Sequence, residues 1–328
     1  MTGNRRDAPV TSRFAKDADQ ERFLEELNEF LAPFEEAQYR ELAEQWPTIQ
    51  VLGVPRSGST LLMQAITSAL DVGYIDNLTA TFWKAPVSGI RLSRKLLPRR
   101  NTSSFQSAFG RTTAINEPHE FGYFWFPLLG YTEMREPDDP AAHPIDWARV
   151  RLLLTNICAA FESPVAFKNF LLMWHLREIA QVLPKTCFVW IRRDPVENAL
   201  SLLRMRREFL GSENQWASMK PKEYAWLKDE PYWVQVAGQV FFIEQTMRRQ
   251  FEQAADLHVL ECNLSDLRRR PDAVLEQVCE LAGAAGSDLR IAQRVVAAPP
   301  CDAVETSAED RKKVARAMEA LHAGDYAR

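Results

Sequence analysis

The sequence predicts an α/β fold of three layers, in which helices cover both faces of a central parallel sheet of about four or five strands. Two observations support this prediction. Short apolar runs alternate with longer amphipathic stretches, and the links between them are short, which is typical of parallel sheets with crossover helices. The chain has 328 residues, 46% of them hydrophobic, which is enough for one large core.

The strands are predicted from apolar runs that are rich in β-branched residues and bounded by proline or polar residues. Four runs meet this description: residues 48–54, 165–170, 186–191 and 257–262. Residues 72–75, which end at Asp76, are a candidate for a fifth and shorter strand. Because helical patterns separate these runs, we expect neighbouring strands to run parallel.

Helices are predicted where apolar residues recur at helical spacing. They cover residues 60–70, 147–161, 174–183, 195–211, 232–255, 265–270, 271–284 and 309–322. Residues 19–46 are predicted to form an N-terminal helical hairpin divided at Pro33. Its apolar face, which includes Phe23 and Phe30, is expected to pack on the domain or on a second subunit. Residues 212–231 are predicted to be a surface excursion.

The domain organisation is predicted from composition. Residues 1–18 are polar and expected to be disordered, and residues 19–296 are expected to form one domain that includes the N-terminal helices. Residues 297–328 are expected to form a linker rich in proline and small residues, followed by a C-terminal helix. A homodimer is left open.

Bulk composition excludes several classes of protein. The formal net charge of −4 argues against a general nucleic-acid binder. No run of 18 apolar residues occurs, so no transmembrane segment is expected, and the N-terminal residues lack the apolar core of a secretory signal. The five cysteines show no C-x-x-C spacing, so structural zinc is not expected. These features together predict a cytoplasmic protein.

Residues 55–60, PRSGST, lie between the first predicted strand and the helix that follows it. Such a loop presents backbone N–H groups and the positive end of the helix dipole, which together suit a phosphate group. Gly58 allows close approach of the backbone to an anion, and Arg56 adds a charge that can bind in a bidentate manner. The nucleotide-triphosphatase motif requires a Gly-Lys pair, which is absent here. We therefore predict a phosphate site of a different kind, formed by Arg56, Ser57, Gly58, Ser59 and Thr60.

The octapeptide 55–62 resembles the 5′-phosphosulfate loop of sulfotransferases that use 3′-phosphoadenosine 5′-phosphosulfate (PAPS), with the pattern P-[KR]-S-G-[TS]-[TS]-x-[LM]. A second motif of that family, R-[DN]-P followed eight residues after its arginine by serine, is matched by Arg193, Asp194, Pro195 and Ser201. In the family this arginine and serine hold the 3′-phosphate of the cofactor; Arg192 is the competing candidate here. Residues 259–283 also resemble the family's closing strand and the helices after it.

The resemblance implies a fold related to that of P-loop nucleotide kinases, with PAPS as donor and 3′,5′-diphosphoadenosine (PAP) as product. It also implies in-line, metal-independent transfer of a sulfuryl group to a hydroxyl or amine of a small-molecule or carbohydrate-like acceptor. Arginine at position 56 favours the bacterial and the carbohydrate- or tyrosyl-like branches. The C-terminal segment R-K-G-x-x-G-x-W-K of the small-molecule enzymes is missing. Arg311, Lys312 and Lys313 are candidates to replace it.

Lys168 lies at the end of the second main strand, 25 residues before Arg193. It resembles the lysine of the K-[DN]-P motif in tyrosylprotein sulfotransferases, although Phe170 replaces the proline. The resemblance implies a second cation that screens the leaving phosphate. The alternative is an ordinary solvated lysine.

The catalytic base is left as a choice. Family branches use either a histidine in the segment after the first helix or a glutamate about 21 residues beyond the basic residue of the loop. Counting 21 residues from Arg56 leads to Asn77, which cannot accept a proton at neutral pH, and Asp76 stands beside it. His119 is the preferred candidate, because neighbouring carboxylates can orient it. Glu117, Asp76 and the absence of any side-chain base are the alternatives.

Two further stretches bear on the acceptor. Residues 78–111 carry no acidic side chain and several basic ones, which form either a solvated face or a flap that attracts an anion; they are Arg91, Arg94, Lys95, Arg99, Arg100 and Arg111. Residues 114–131 are dense in aromatic side chains, which form either core or the wall of an acceptor pocket. A small-molecule kinase and a catalytically inactive nucleotide-binding protein are the rival functions, and the sequence does not identify the acceptor.

Overall fold

The computed structural model describes residues 16–97, 103–295 and 307–326, and its centre is a parallel sheet. The strands are β1 (Thr48–Leu52), β2 (Gly73–Tyr74), β3 (Val165–Lys168), β4 (Cys187–Arg192) and β5 (His258–Asn263). Their order is β2-β3-β1-β4-β5, and every neighbouring pair is parallel. The predicted parallel sheet is confirmed with five strands, and the short run near residue 73 supplies the edge strand β2.

Helices cover both faces of this sheet, so the predicted three-layer α/β fold is also confirmed. They are α1 (Ala18–Glu36), α2 (Ser59–Ala69), α3 (Pro86–Leu96), α4 (Gly122–Leu128), α5 (Trp147–Phe161), α6 (Leu176–Val182), α7 (Pro195–Met205), α8 (Tyr224–Leu227), α9 (Tyr232–Gln253), α10 (Leu264–Arg269), α11 (Pro271–Ala284) and α12 (Ala308–Ala323). Within β4, Phe188 and Trp190 enter the core that contains α5, α7 and α9, whereas Val189 and Ile191 enter the core beneath α2 and α11. This alternation is the period of two that a strand imposes on its side chains.

The predicted N-terminal hairpin is wrong. The helix α1 continues through Pro33, which lies in its last turn, and residues 37–46 are not helical. Tertiary contacts hold this extended segment instead: the side chain of Asn156 bonds to both backbone groups of Arg40, and the Arg151 guanidinium donates to the carbonyl of Leu42. Backbone groups bound in this way are satisfied without a helix.

The face of α1 that packs on the domain also differs from the prediction. Phe23 and Phe30 are 61% and 81% exposed, whereas Asn28 and Glu35 are fully buried. The Glu35 carboxylate accepts hydrogen bonds from the backbone N–H of Val87 at 2.6 Å and from the hydroxyl of Ser88 at 2.6 Å. It therefore caps the N-terminus of α3 from another helix, which satisfies free N–H groups and favours a negative charge.

Two further segments were predicted incompletely. Residues 78–111, for which no helix is predicted, contain α3, whose buried face includes Val87, Gly89 and Ile90; a Cβ at Gly89 would lie 2.8 Å from the Cβ of Phe82, so this face packs closely. The predicted surface excursion 212–231 buries Met219 and Leu227 completely, which contradicts a purely surface position. Immediately before it, the chain leaves α7 through one π-helical turn, Arg206–Leu210.

Several predictions lie outside the described residues. These are the disordered N-terminus over residues 1–15, the linker over residues 296–306, and the side chains of Arg99, Arg100 and Cys301. In the described ranges, no helix combines the length and the apolar character needed to cross a membrane.

Candidate active site

The phosphate loop joins the carboxyl end of β1 to α2. Gly58 precedes the helix with φ +106°, in the left-handed region that favours glycine, and no side chain caps the first turn of α2. At Gly53, a Cβ would lie 2.5 Å from Ser57 Oγ and 2.8 Å from the carbonyl oxygen of Ile191. The loop is thus packed against β4, and only glycine fits there. The first amides of α2 remain directed out of the helix, as an anion site requires.

The structure brings the two sequence motifs together. Arg193 follows β4 and donates from Nη1 to the carbonyl oxygen of Arg56 at 3.2 Å, and Arg56 donates from Nε to Ser201 Oγ at 3.4 Å. Asn198, on the same helix as Ser201, donates to the carbonyl of Pro55 at 2.7 Å. Since β1 and β4 are neighbours, residues about 140 positions apart meet at one end of the sheet. This is the crevice in which open parallel sheets bind ligands.

Arg192, the competing candidate for the second motif, points elsewhere. Its guanidinium forms ion pairs with Glu244 and Glu261 and lies 4.9 Å from the centre of the Trp190 ring. Adjacent residues at a strand end project in opposite directions, so only one of the two arginines reaches the loop. Arg193 is the one that does.

Lys168 ends β3, and its register partner is Val51 on β1, so it stands at the same edge of the sheet as the phosphate loop. Its side chain is only 5% exposed, which rules out a solvated lysine. The ammonium donates to Thr60 Oγ1 at 2.6 Å and to Glu120 Oε1. A buried positive charge therefore touches the first turn of α2.

His119 is exposed to solvent, and the protein around its ring desolvates it in part. Desolvation lowers its pKa below the usual value; the charge of Glu120 opposes this effect, and that of Lys168 adds to it. The ring atom Nδ1 accepts a hydrogen bond from the backbone N–H of Phe121 at 2.9 Å. In the neutral ring the proton therefore sits on Nε2, which makes that nitrogen a donor. The geometry gives His119 no free lone pair for a proton.

Glu117 is 1% exposed, and protein donors surround its carboxylate. It accepts from Gln64 Nε2 at 3.1 Å, from Ser103 Oγ at 3.0 Å and from the backbone N–H of Ser104 at 2.7 Å. These bonds hold residues 103–104 against α2. The contacts support a structural role for Glu117 and give no support to its prediction as base.

Asp76 is likewise enclosed, with 6% exposure. It accepts from the backbone N–H of Thr79 at 2.6 Å and from the hydroxyl of Ser93. Both partners lie on the segment that leads into and through α3. Its carboxylate thus fixes this segment, and its prediction as base also gains no support from these contacts.

Glu120 was missed by the sequence reasoning, although it belongs to the cluster Glu-Pro-His-Glu at residues 117–120. It is 37% exposed, and it pairs with the ammonium of Lys168. A Cβ at Gly110 would lie 3.4 to 3.5 Å from the reactive ends of Glu120, Lys168 and Thr60, so Gly110 lies directly against this triad. The only sequence signal was adjacency to His119, because the ion pair joins residues 48 positions apart.

The basic segment divides into two parts. Arg91 and Arg94 on α3 bind Gln38 and Glu162 and belong to surface packing. Residues 103–111 instead lie over the phosphate loop, with the Phe109 ring 5.4 Å from the Arg56 guanidinium. Arg111 is the one basic residue within residues 103–111, and its guanidinium lies 4.8 Å from the centre of the Phe209 ring, so the anion-attracting flap stays a prediction.

Of the three cations proposed to replace the missing C-terminal segment, Arg311 lies nearest the site. It forms an ion pair with Glu197 in the first turn of α7, which puts it beside the helix that carries Ser201. Lys313 pairs with Glu309 on its own helix and lies 4.8 Å from the centre of the Trp233 ring. Across the described ranges, no group of three or more His, Cys, Asp or Glu side chains could hold a metal ion.

The chain is similar to known sulfotransferases in sequence pattern and in fold. A model of the sulfotransferase family matches residues 47–288. Sulfotransferase STF1 from Mycobacterium tuberculosis H37Rv is 14% identical, with 90% of this chain and 76% of that chain covered and a TM-score of 0.47. A sulfotransferase from Alicyclobacillus acidocaldarius is 15% identical, with coverages of 84% and 95% and a TM-score of 0.42. A sulfotransferase domain from the curacin biosynthetic pathway is 15% identical, with coverages of 74% and 75% and a TM-score of 0.41. No curated protein matches the sequence.

Proposed function

We propose that this chain, which belongs to the sulfotransferase family, transfers a sulfuryl group from PAPS to a hydroxyl or amine of a small-molecule or carbohydrate-like acceptor. One observation carries the proposal: Arg193 and Ser201 contact the phosphate loop at Arg56. A ligand with phosphate groups at both ends of a nucleoside needs two separate anion sites on one edge of the sheet. The loop would supply one of these sites, and Arg193 with Ser201 would supply the other.

The residues present fit such a donor. The hydroxyl of Ser57 is buried and has no hydrogen-bond partner among the described residues, as expected of a donor reserved for a ligand. Arg56, Lys168 and the first amides of α2 would hold the 5′-phosphosulfate. Arg193 and Ser201 would hold the 3′-phosphate. When bound, the donor supplies an activated sulfuryl group at this edge of the sheet.

The side chains of this site then have separate tasks. Arg193 and Ser201 hold the nucleotide at a group that is unchanged by the reaction, so their contribution is to binding. Arg56 and Lys168 would face the negative charge that develops on the leaving phosphate, so they are expected to stabilise the transition state. Since these side chains supply the positive charge, we propose that transfer requires no metal.

Ligand-dependent stability tests this proposal. PAP at 100 times its dissociation constant should raise the free energy of unfolding by about 2.7 kcal/mol without magnesium. ATP should stabilise much less, because it has no 3′-phosphate for Arg193 and Ser201. Thermal unfolding of the wild type and of Arg193→Ala, with each nucleotide in the presence of EDTA, measures both effects.

The same experiment separates the rival functions. Equal stabilisation by ATP, or a strict magnesium requirement, would contradict the donor assignment and favour a kinase. Release of PAP from PAPS upon addition of an acceptor distinguishes an active transferase from an inactive nucleotide-binding protein. Screening acceptors with PAPS labelled in its sulfate would identify the acceptor class.

A further inference from the structure

We infer that Glu120 is the group that takes the proton from the acceptor, and that Lys168 holds this carboxylate beside the phosphate loop until the donor binds. This inference deepens the proposed function and rests on it. It replaces His119, Glu117 and Asp76 as candidates with a residue that the sequence did not single out.

The first argument for Glu120 is its position. Glu120 reaches Lys168, and Lys168 in turn reaches Thr60 on the first turn of α2 at 2.6 Å. The carboxylate is therefore one side chain away from the place where the loop would hold a phosphosulfate. At 37% exposure it is also open to a second molecule, which an acceptor requires. Glu117, three residues earlier, is 1% exposed and fully engaged.

The second argument is that the Glu120 carboxylate has lone pairs available to accept a proton. A general base needs an unoccupied lone pair within reach of the proton that it removes. Only Oε1 of Glu120 is engaged by Lys168, and a carboxylate offers about four lone-pair sites on its two oxygens. The Nδ1 lone pair of His119 is occupied by the Phe121 N–H, and Nε2 carries the proton of the neutral ring. His119 is thus arranged to donate a hydrogen bond at the mouth of the site.

The third argument is that Glu120 and an anionic donor compete for the charge of Lys168. Before the donor binds, Lys168 is partly neutralised by Glu120. An anionic donor on the loop competes for the same ammonium and repels the carboxylate. Donor binding therefore weakens the ion pair and leaves the carboxylate oxygens free to accept a hydrogen bond from the acceptor hydroxyl. Glu120 opposes donor binding through the same contact.

The transfer step is then balanced. The acceptor oxygen forms a bond to sulfur while the bond between sulfur and the phosphate oxygen breaks. The electron pair of the broken bond stays on that phosphate oxygen beside Lys168 and Arg56, and the hydroxyl proton passes to a Glu120 oxygen. No oxidant, reductant or further reactant is needed.

The test uses the full chain, the variant Glu120→Gln and PAP as the probe. Glutamine keeps the shape and an oxygen that accepts from Lys168 but removes the negative charge. We expect PAP to bind about 3- to 10-fold more tightly, the scale of one partly exposed charge interaction. With the acceptor found by screening, turnover should fall about 10²- to 10⁴-fold.

Glu162→Gln is the matched control, because it removes one carboxylate from the ion pair with Arg94 at a surface site. We expect it to leave PAP affinity and turnover unchanged. If PAP binds Glu120→Gln no more tightly than the wild type, or if this variant keeps more than about a tenth of the turnover, the inference is overturned. If the wild type itself fails to bind PAP, the proposed function falls as well, so the two failures are distinguishable.

Discussion

Two cations are buried among the described lysines and arginines, and their surroundings differ. Lys168, in the phosphate-loop cleft, has a carboxylate and a hydroxyl as partners. Arg206, in the π-helical turn after α7, is fully buried and donates to two neutral amide oxygens, on Gln235 at 2.8 Å and on Gln239 at 2.9 Å. The ring of Trp216 lies 4.7 Å from its guanidinium.

The comparison teaches that burial alone does not identify a reactive cation. Desolvation lowers the pKa of Arg206 to about 9, so its charge is costly, and in the described ranges its guanidinium donates to amide and carbonyl oxygens rather than to a carboxylate. Its partner Gln239 also donates to the carbonyls of Ala217 and Met219. The cluster of Arg206, Gln235 and Gln239 therefore fixes the segment 212–231. Lys168 instead has a charged and partly exposed partner, which a ligand can displace.

The largest expected effect is the loss of folding stability in Arg206→Met. Methionine leaves the amide oxygens of Gln235 and Gln239 without their donor, and unsatisfied buried acceptors cost about 1 to 3 kcal/mol each. We expect the free energy of unfolding in urea to fall by about 2 to 5 kcal/mol. Arg204→Met, two residues earlier, removes an exposed ion pair with Glu208 and should cost less than about 1 kcal/mol. Equal losses in the two variants would show that the buried cluster is not structural.

The second effect concerns the reaction rather than the fold. Lys168→Met should lower turnover about 10²- to 10³-fold, because the ammonium faces charge that grows in the transition state. Arg193→Ala should mainly weaken PAP binding, since it holds a phosphate that does not react. Steady-state kinetics with calorimetry of PAP binding separates these effects. If Lys168→Met lost PAP affinity and kept its turnover, the roles of the two cations would have to be exchanged.

The smallest effect tests how strongly the interior rejects charge. His175 is fully buried and pairs with the hydroxyl of Tyr131 at 2.7 Å; desolvation lowers its pKa to about 4, and the nearby His143 adds to this. Between pH 6.5 and about 4, the unfolded chain therefore binds a proton at His175 that the folded protein does not bind. Its contribution to stability is complete above pH 6.5 and is lost as the pH falls from 6.5 to about 4.

Urea unfolding at several pH values measures this effect. The wild type should lose up to about 3 kcal/mol across this interval through His175, at about 1.4 kcal/mol for each unit of pKa shift. His175→Gln, which does not titrate, should show a flatter dependence on pH. If the free energy of unfolding of this variant depended on pH as steeply as that of the wild type, groups other than His175 would govern the loss of stability at low pH.

Much of this architecture is encoded locally, and therefore it was predictable. The strands β1, β3, β4 and β5 are continuous apolar runs, and the phosphate loop is a contiguous motif. The pairing of Arg193 with the loop also followed, since a second motif identified it. The position of α1 did not follow, because Phe23 and Phe30 have the spacing of a buried face and yet are exposed, while polar Asn28 and Glu35 are buried.

The catalytic carboxylate shows the other limit of the sequence. Glu117, His119 and Glu120 lie within four positions, and sequence spacing does not say which of them faces Lys168. Phe121 adopts a left-handed conformation with φ 57°, and its N–H donates a hydrogen bond to Nδ1 of His119. This local turn and the tertiary contact between Glu120 and Lys168 decide which side chain lies beside the ammonium. The sequence therefore identifies these neighbouring residues as candidates but does not distinguish among them.

The extended segment after α1 has a consequence for how the protein is made on the ribosome. Glu35 finds Ser88 after 53 further residues, Arg40 finds Asn156 after 116, and Glu44 finds the backbone N–H of Lys185 after 141. At about 5 to 20 residues per second, the last partner is synthesised roughly 7 to 28 seconds after Glu44. During that interval the residues from Glu35 to Glu44 have not yet met all of the partners that hold them in the folded protein. This segment is thus translated well before the residues that fix it, and its contacts are complete only after α6 has been synthesised.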